Sequence, residues 1–293
     1  MFLLAGVAGI NLHFSIPTSF SYTVSGKCWY KDAPYSASYK AEHKYSGDKF
    51  YYAFHMYDAS SIEVRFTEGA FDGERSYYVR HNKSRLDIKT GNSLNQFDNF
   101  DTNPLYYLYS GFITRNSVPD AQVTFDSNYA LIPISFPKIN QIINSKQFDN
   151  AFKLLKNQND SGLITLIGDS VMDTMLGTDS NSASVEIQID ANRGFSPVKW
   201  IKKCDENLAK GRTIEFEVTD WTKISNQSGA FFYYPKISKV TYYYNGVAYQ
   251  GQTMVIEEFK INPEFNESDF QIDPASVSQI FDQDTRTLIE VPH

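Results

Sequence analysis

The sequence has little cysteine, no long hydrophobic run and no block of like charge. Its 293 residues include two cysteines, and no Cys-x-x-Cys or Cys/His cluster accompanies them, so a structural zinc site is not supported. No run of roughly 18 apolar residues occurs, which argues against an integral helical membrane protein. The 27 basic and 34 acidic residues give a net charge of −7 and are well mixed, so nucleic acid is not an expected partner.

Convincing catalytic and metal-binding motifs are also missing. The five histidines show no metal-ligand spacing, and neither a metal nor a cofactor is predicted. His43 and His55 lie on neighbouring predicted strands and could meet across the sheet, although such a pair is more often structural than metal-bound. Gly168-Asp169-Ser170 resembles the nucleophile block of SGNH hydrolases, with Ser170 as nucleophile. The alternating βα pattern of that fold is absent, so a turn that caps a following helix is the favoured interpretation.

Two features stay open at the level of sequence. Cys28 and Cys204 could form one long-range disulfide or remain thiols, because only geometry decides the matter. Residues 2–10 form an apolar run with small residues, as in the core of a secretory signal peptide, although the positive n-region is missing. A signal-peptide remnant over residues 1–10 is the favoured interpretation, and an opening strand or helix is the alternative. The oligomeric state is not predicted.

Aromatic side chains are the residues that the sequence has in excess. It contains 20 tyrosines and 22 phenylalanines, which favour strands. From residue 19 to about residue 91, strand-like segments alternate with turn residues, and this predicts an antiparallel meander. One of these segments places Phe50, Tyr52, Phe54 and Met56 on a single face. Its other face is also largely aromatic, which suits a sheet that packs on one side and lines a cavity on the other.

Long strands are predicted again from residue 184 onward. Asn245-Gly246 lies between two strand-like runs and is the strongest short hairpin signal in the chain. Ile214 and Phe216 alternate with glutamates, so one face of that strand should be buried and the other solvated.

The middle segment, residues 92–181, has a different character. Residues 139–157 carry apolar side chains at helical spacing and lysines near their end, so they are predicted to form a helix. Ile142, Phe148 and Phe152 belong to its apolar stripe.

A family likeness is carried mainly by the sequence from residue 185 onward. Its elements are a strand that ends in Asp190, a return strand Phe195-Ser-Pro-Val-Lys199, a Tyr234-Pro235 entry to a long hairpin, and closing IxxFKINPxF and DFQID segments. They run in the order of the second half of LolA-like and LppX-like carriers, while Asp72-Gly73 with the later LDIKTG looks like the first half. The chain thus resembles the LolA/LolB/LppX lipoprotein-carrier superfamily in its pattern of strands and turns.

The resemblance implies an α+β, mainly β fold, an antiparallel open half-barrel with one or more helices that cover its concave face. Residues 11–293 would form one domain of this kind, with a helical lid insert around residues 92–181. Residues 105–112 and 139–157 would supply the lid, which makes Ile142, Phe148 and Phe152 the candidate lid residues.

By the same likeness, the expected function is non-enzymatic: the protein would bind a lipid, a lipoprotein acyl chain or another apolar ligand in the half-barrel. Its expected location is periplasmic or secreted. Candidate ligand-lining residues are Phe50, Tyr52, Phe54, Met56, Ile214 and Phe216. A structural or interaction module without a ligand cavity is the alternative, and a serine hydrolase that uses Ser170 is a distant third.

Overall fold

One large sheet accounts for nearly all of the regular structure in a computed structural model of the protein. The structure describes residues 17–32, 37–80, 84–91, 103–110, 152–158, 162–169, 183–204, 211–225 and 231–292. The strands in chain order are β1 (Ser19–Tyr30), β2 (Ala37–Ser46), β3 (Lys49–Tyr57), β4 (Glu63–Phe71), β5 (Arg75–Arg80), β6 (Arg85–Thr90), β7 (Phe152–Gln158), β8 (Leu163–Asp169), β9 (Ala183–Asp190), β10 (Ser196–Cys204), β11 (Arg212–Ser225), β12 (Phe231–Tyr244), β13 (Val247–Ile261), β14 (Gln279–Asp282) and β15 (Thr287–Glu290). Helix α1 is Pro104–Ser110.

The strand order shows how two meanders make one sheet. It runs β15-β14-β6-β5-β4-β3-β2-β1-β13-β12-β11-β10-β9-β8-β7. Neighbouring strands are antiparallel except for β14, which runs parallel to β6. Strands β1 and β13 join the meanders by pairing from Phe20↔Ile261 to Tyr30↔Gln250. Among the described strands, the edge strands β15 and β7 do not pair with each other, so the predicted fold class, a mainly β, antiparallel open half-barrel, is confirmed.

Alternation along the strands gives the sheet one apolar face, which we call the inner face. In β11, Ile214, Phe216 and Val218 are buried while the residues between them are half-buried or exposed, as the sequence predicted. Asn245 and Gly246 form the predicted turn between β12 and β13, with φ of 50° and 75°. These positive values are those of a type I′ turn, whose twist matches that of the flanking strands.

The predicted helix over residues 139–157 is wrong at its C-terminal end. Residues Phe152–Gln158 form strand β7, which pairs with β8. The side chains of this segment fit the two-residue period of a strand equally well. Buried Phe152 and half-buried Leu154 share one face, and exposed Lys153 and Leu155 share the other. Hydrogen bonding to β8 decides between the two periods, as tertiary pairing commonly overrides a local pattern.

The C-terminal segment covers part of the opposite, outer face. Ile272 and Val277 pack on Ala70, Val79 and Leu86 of strands β4 to β6. An ion pair of 3.0 Å between Lys44 and Asp269 also ties this segment to β2. After crossing the outer face, the chain adds β14 and β15 to the edge beside β6.

Two cross-strand pairs on the inner face combine a glycine with a tyrosine. Tyr39 lies opposite Gly26, and Tyr52 lies opposite Gly69. A Cβ at either glycine would overlap the facing tyrosine ring. Neither glycine has positive φ, so the ring above each glycine, and not the backbone conformation, excludes a side chain.

Gly26→Ala is expected to destabilise the protein by about 1–3 kcal/mol, because the added methyl must displace the Tyr39 ring from a packed core. In most strand interiors the same change would be neutral or stabilising. In a Tyr39→Leu background, Gly26→Ala should cost much less. Urea unfolding of the wild type, both single variants and the double variant measures the coupling. If Gly26→Ala lowered the free energy of unfolding equally in both backgrounds, the Tyr39 ring would not be what excludes a side chain at Gly26.

Candidate functional site

The inner face is a continuous apolar surface that extends from β3 through β1 and β13 to β7. A register row across its centre runs Ile187↔Trp200↔Phe216↔Val240↔Gln252↔Cys28. A second row runs Phe259↔Tyr22↔His43↔Tyr52. All four residues of the second row carry rings, and the first row combines two rings with aliphatic side chains and one amide. Concave sites for apolar ligands have this composition.

Helix α1 lies on this face, and its first turn is held by a buried asparagine. Asn103 accepts a hydrogen bond of 2.7 Å from the Tyr22 hydroxyl and donates one of 2.8 Å to the Tyr45 hydroxyl. Its backbone carbonyl accepts from the N–H of Tyr107 at 3.1 Å. Pro104 at the first helical position has a ring that suits the helical φ. Asn103 therefore joins the start of α1 to β1 and β2.

The middle of α1 is held by aromatic residues of β10 and β12. The indole N–H of Trp200 donates to the carbonyl oxygen of Tyr107 at 2.6 Å, and the hydroxyls of Tyr107 and Tyr242 are 2.9 Å apart. The rings of Tyr107, Trp200 and Phe216 stack at centroid distances of 5.7 to 6.5 Å. Leu105 and Leu108 are fully buried beside them. Over β10 to β12, helix α1 thus fills the inner face with protein side chains.

The six predicted lining residues fall into two groups. Phe54, Ile214 and Phe216 belong to the large inner-face core, and Met56 packs against it half-buried. Phe50 and Tyr52 instead pack with Phe71 in a smaller cluster. Alternation along β3 and β11 accounts for the inward direction of all six, but which neighbours each one meets depends on the strand order. Their role in binding stays a prediction.

The predicted lid is described only at its margins. Residues 105–108 lie in α1, so the aromatic segment predicted over residues 105–112 contributes a helix on the inner face. Phe152 is buried in the core as the first residue of β7, not on a helix. Ile142 and Phe148 lie outside the described residues, as does Ser170 of the Gly-Asp-Ser motif.

The suggested meeting of His43 with His55 is wrong. His43 is opposite Tyr52 and His55 is opposite Lys40, so the two imidazoles lie on opposite faces of the sheet. His55 lies 2.5 Å from Glu63 on the outer face. His43 is buried on the inner face, 4.8 Å from the Tyr22 ring centroid, and its Nε2 has no hydrogen-bond partner among the described residues. Burial lowers the pKa of His43 from 6.5 to about 3, because desolvation penalises the imidazolium.

The two cysteines are free thiols. Cys28 lies on β1 and Cys204 on β10, four strand spacings apart in the sheet order. At about 4.8 Å per spacing along the sheet, they lie in separate parts of the inner face. The disulfide that the sequence left open is therefore not formed. Among the described residues, no group of three or more His, Cys, Asp and Glu side chains could hold a metal, and no helix is long and apolar enough to cross a membrane.

Sequence reasoning missed the residues that fix α1. Asn103 and Trp200 were not singled out, nor were the hydroxyls of Tyr22 and Tyr45. One local signal was available, since Asn103-Pro104 is a helix start with a capping residue followed by proline at the first helical position. No local signal shows that Trp200 bonds to the middle of the same helix.

The stability of the protein should fall below pH 6.5 because of His43. In the unfolded chain the His43 imidazole is protonated near its ordinary pKa of 6.5, whereas in the folded protein its pKa is lowered to about 3. The free energy of unfolding therefore keeps its full value above pH 6.5, as far as His43 is concerned, and falls as the pH drops towards 3. At about 1.4 kcal/mol per unit, the wild type should lose about 2 kcal/mol more than His43→Phe between pH 7.5 and pH 5. Urea unfolding at both pH values tests this, and equal losses would contradict it.

Comparisons with known proteins find similarity in structure alone. No family model and no curated protein matches the chain. A DUF1329 family protein from Desulfovibrio piger is 8% identical at TM-score 0.46, covering 88% of this chain and 91% of that one. A LolA superfamily protein from Nitrosomonas europaea is 12% identical at TM-score 0.41, covering 89% and 93%. An uncharacterised conserved protein from Thermus thermophilus is 10% identical at TM-score 0.30, covering 92% of each chain. All three TM-scores are below 0.5, so these similarities assign neither a family nor a function to the chain.

Proposed function

We propose that the protein is a non-enzymatic, periplasmic or secreted protein that binds a lipid, a lipoprotein acyl chain or another apolar ligand against its inner face. The observation that carries the proposal is the continuous aromatic and aliphatic surface across β3, β1, β13 and β12. Hydrophobic burial against such a surface supplies affinity without a specific polar contact. The proposed lining residues are Phe54, Ile214 and Phe216 of the large core, Met56, which packs against it, and Phe50 and Tyr52 of the smaller cluster.

A structural or interaction module is the second candidate, and a specific observation favours it. Over β10 to β12, the rings of Tyr107, Trp200 and Phe216 already fill the inner face. If protein side chains fill the rest of the face equally well, no ligand is required to cover it. The two candidates differ in whether an apolar molecule can reach Trp200.

Fluorescence quenching by a bromine-substituted fatty acid is expected to show saturable binding close to Trp200. Trp29 is on the outer face and Trp221 lies beyond the central rows of the inner face, so they serve as internal references. The saturable component should disappear in Trp200→Phe. Mass spectrometry of an organic extract of the purified protein should identify the natural ligand. Absence of both saturable quenching and a co-purified lipid would leave the structural module as the function.

Two neighbouring residues of β3 provide a matched test of the binding face. Met56 and Tyr57 are both half-buried, but Met56 is on the inner face and Tyr57 is on the outer face. Met56→Gln should weaken fatty-acid binding by about fivefold or more, because the amide must be desolvated against the ligand. Tyr57→Gln should leave binding unchanged within about twofold. Equal effects of the two changes would place the ligand elsewhere.

A further inference from the structure

His43 has a buried ring nitrogen that the described part of the chain leaves without a hydrogen bond. The side chain is 1% exposed, and its Nε2 has no partner among the described residues. Buried polar atoms in folded proteins are nearly always paired, because an unpaired one loses the hydrogen bonds that it made to water. The position of His43 therefore suits a hydrogen-bonding group that comes from outside the chain.

The polar groups nearest to His43 pair with one another. The Tyr22 hydroxyl donates to Oδ1 of Asn103 at 2.7 Å, and Nδ2 of Asn103 donates to the Tyr45 hydroxyl at 2.8 Å. The Tyr45 hydroxyl is in turn hydrogen-bonded to Tyr22, so the three groups close a ring. The aromatic rings of Tyr22 and Tyr45 lie 4.8 and 6.3 Å from the imidazole. His43 thus meets their rings, while their hydroxyls are already used.

The described surroundings of His43 hold a water molecule poorly. A buried water typically makes about three hydrogen bonds. Tyr52 is opposite His43 on β3, but its hydroxyl lies over Gly69 of β4, on the side away from β2. A water at Nε2 would have His43 as its one partner here. A hydroxyl group on a hydrocarbon chain fits better, because one hydrogen bond pairs it with His43 and its chain contacts the rings.

The same surroundings favour an uncharged group. Burial lowers the pKa of His43 to about 3 and raises the pKa of Tyr22 and Tyr45, so all three side chains are neutral near neutral pH. Burial, and not a neighbouring charge, causes the shift at His43. A carboxylate here would lose its hydration without gaining a cation. A hydroxyl both donates and accepts, so it pairs with Nε2 in either neutral tautomer of the imidazole.

The inner face beside His43 leaves a path for a hydrocarbon chain. The next inner residue of β2 is Ala41, which carries only a methyl group and is opposite Phe54. Beyond it, Tyr39 is opposite Met56. The distance from His43 to Tyr39 is about 14 Å along the strand. Helix α1 fills the face over β10 to β12 instead, so an anchored chain runs along β2 and β3 towards Met56.

We propose that His43 binds the hydroxyl group of an uncharged single-chain amphiphile, such as a long-chain alcohol or a monoacylglycerol, whose hydrocarbon chain lies over Ala41 and Phe54. The inference rests on the proposed function, because an apolar molecule must enter the inner face, and it adds the class of that molecule and its direction. Burial of the chain supplies most of the affinity, and the hydrogen bond to Nε2 selects the head group.

Headspace gas chromatography of decanol and decyl chloride, together with equilibrium dialysis of decanoate, tests the proposal. His43→Phe keeps a ring and removes the nitrogen. It should bind decanol about fivefold or more weakly than the wild type, because one hydrogen bond is lost. Its binding of decyl chloride and of decanoate should stay within about twofold. His43→Gln keeps a hydrogen-bonding group and should bind decanol more tightly than His43→Phe does.

Ser238→Ala is the matched control. Ser238 is also buried on the inner face, and its Oγ also lacks a partner among the described residues. It lies on β12, three strand spacings from β2 in the sheet order, which is about 14 Å along the sheet. Ser238→Ala should therefore bind decanol within about twofold of the wild type.

The possible outcomes separate this inference from the proposed function. If none of the three ligands binds the wild type, both are overturned. If all three bind, and bind equally well to His43→Phe, the proposed function stands and the role of His43 is overturned. Equal weakening of decanol and decanoate binding in His43→Phe would contradict an uncharged head group, and equal weakening of decanol binding in Ser238→Ala would contradict the site.

The NMR signal of Nε2 in histidine-labelled protein provides a second measurement. Decanol should shift this signal of His43, and decyl chloride should leave it where it is. A signal that is already that of a hydrogen-bonded nitrogen in the ligand-free protein, and that decanol does not change, would show that a buried water fills the position and would overturn the proposal.

Discussion

The antiparallel pairing of β1 with β13 is the constraint on which the rest of the structure depends. Strands β2 to β6 continue the sheet from β1, and strands β12 to β7 continue it from β13. The pairing also brings aromatic side chains from the two meanders together, since the rings of Tyr22 and Phe259 stack at 5.8 Å. Without this pairing each meander would expose an edge and half of an apolar face, and both are costly in water. The contact joins parts of the chain near its two ends, so it forms only after a large loss of loop entropy.

Buried polar groups on the inner face determine where α1 lies. A helix of seven residues such as α1 is too short to be stable alone. Its position depends on the Asn103 contacts at its start and on the Trp200 contact with its central residue, Tyr107. Hydrogen bonds made out of reach of water are specific, because breaking one leaves a buried group unpaired. Elsewhere on the face, His43 avoids the cost of a buried charge by remaining neutral.

The apolar surface of the half-barrel is its inner face, which is buried and rich in stacked rings. A buried face of this kind can shelter an apolar molecule. An open sheet permits such a face, because it curves around one side and leaves its two edge strands apart.

Local chemistry was enough to predict several elements from the sequence. Alternation placed Phe54 and Phe216 on the apolar face, and Asn245-Gly246 determined a hairpin, because side-chain direction and turn geometry depend on adjacent residues. Where two periods fitted one segment, as around Phe152, the sequence could not choose between them. The suggestion that His43 and His55 meet across the sheet failed. Two residues on neighbouring strands of a hairpin can lie on the same face or on opposite faces, and only the register of the two strands decides which.

Tertiary structure decided the features that depend on distant partners. The neighbours of β1 are β2, which local sequence predicts, and β13, which it does not. The distance between Cys28 and Cys204 and the contact of Trp200 with α1 both follow from that strand order. The sequence by itself determined which residues form strands and which faces are apolar, because these are properties of a few neighbouring residues. Only the folded sheet determined which of those faces and ends meet, because pairing between distant strands is a property of the whole chain.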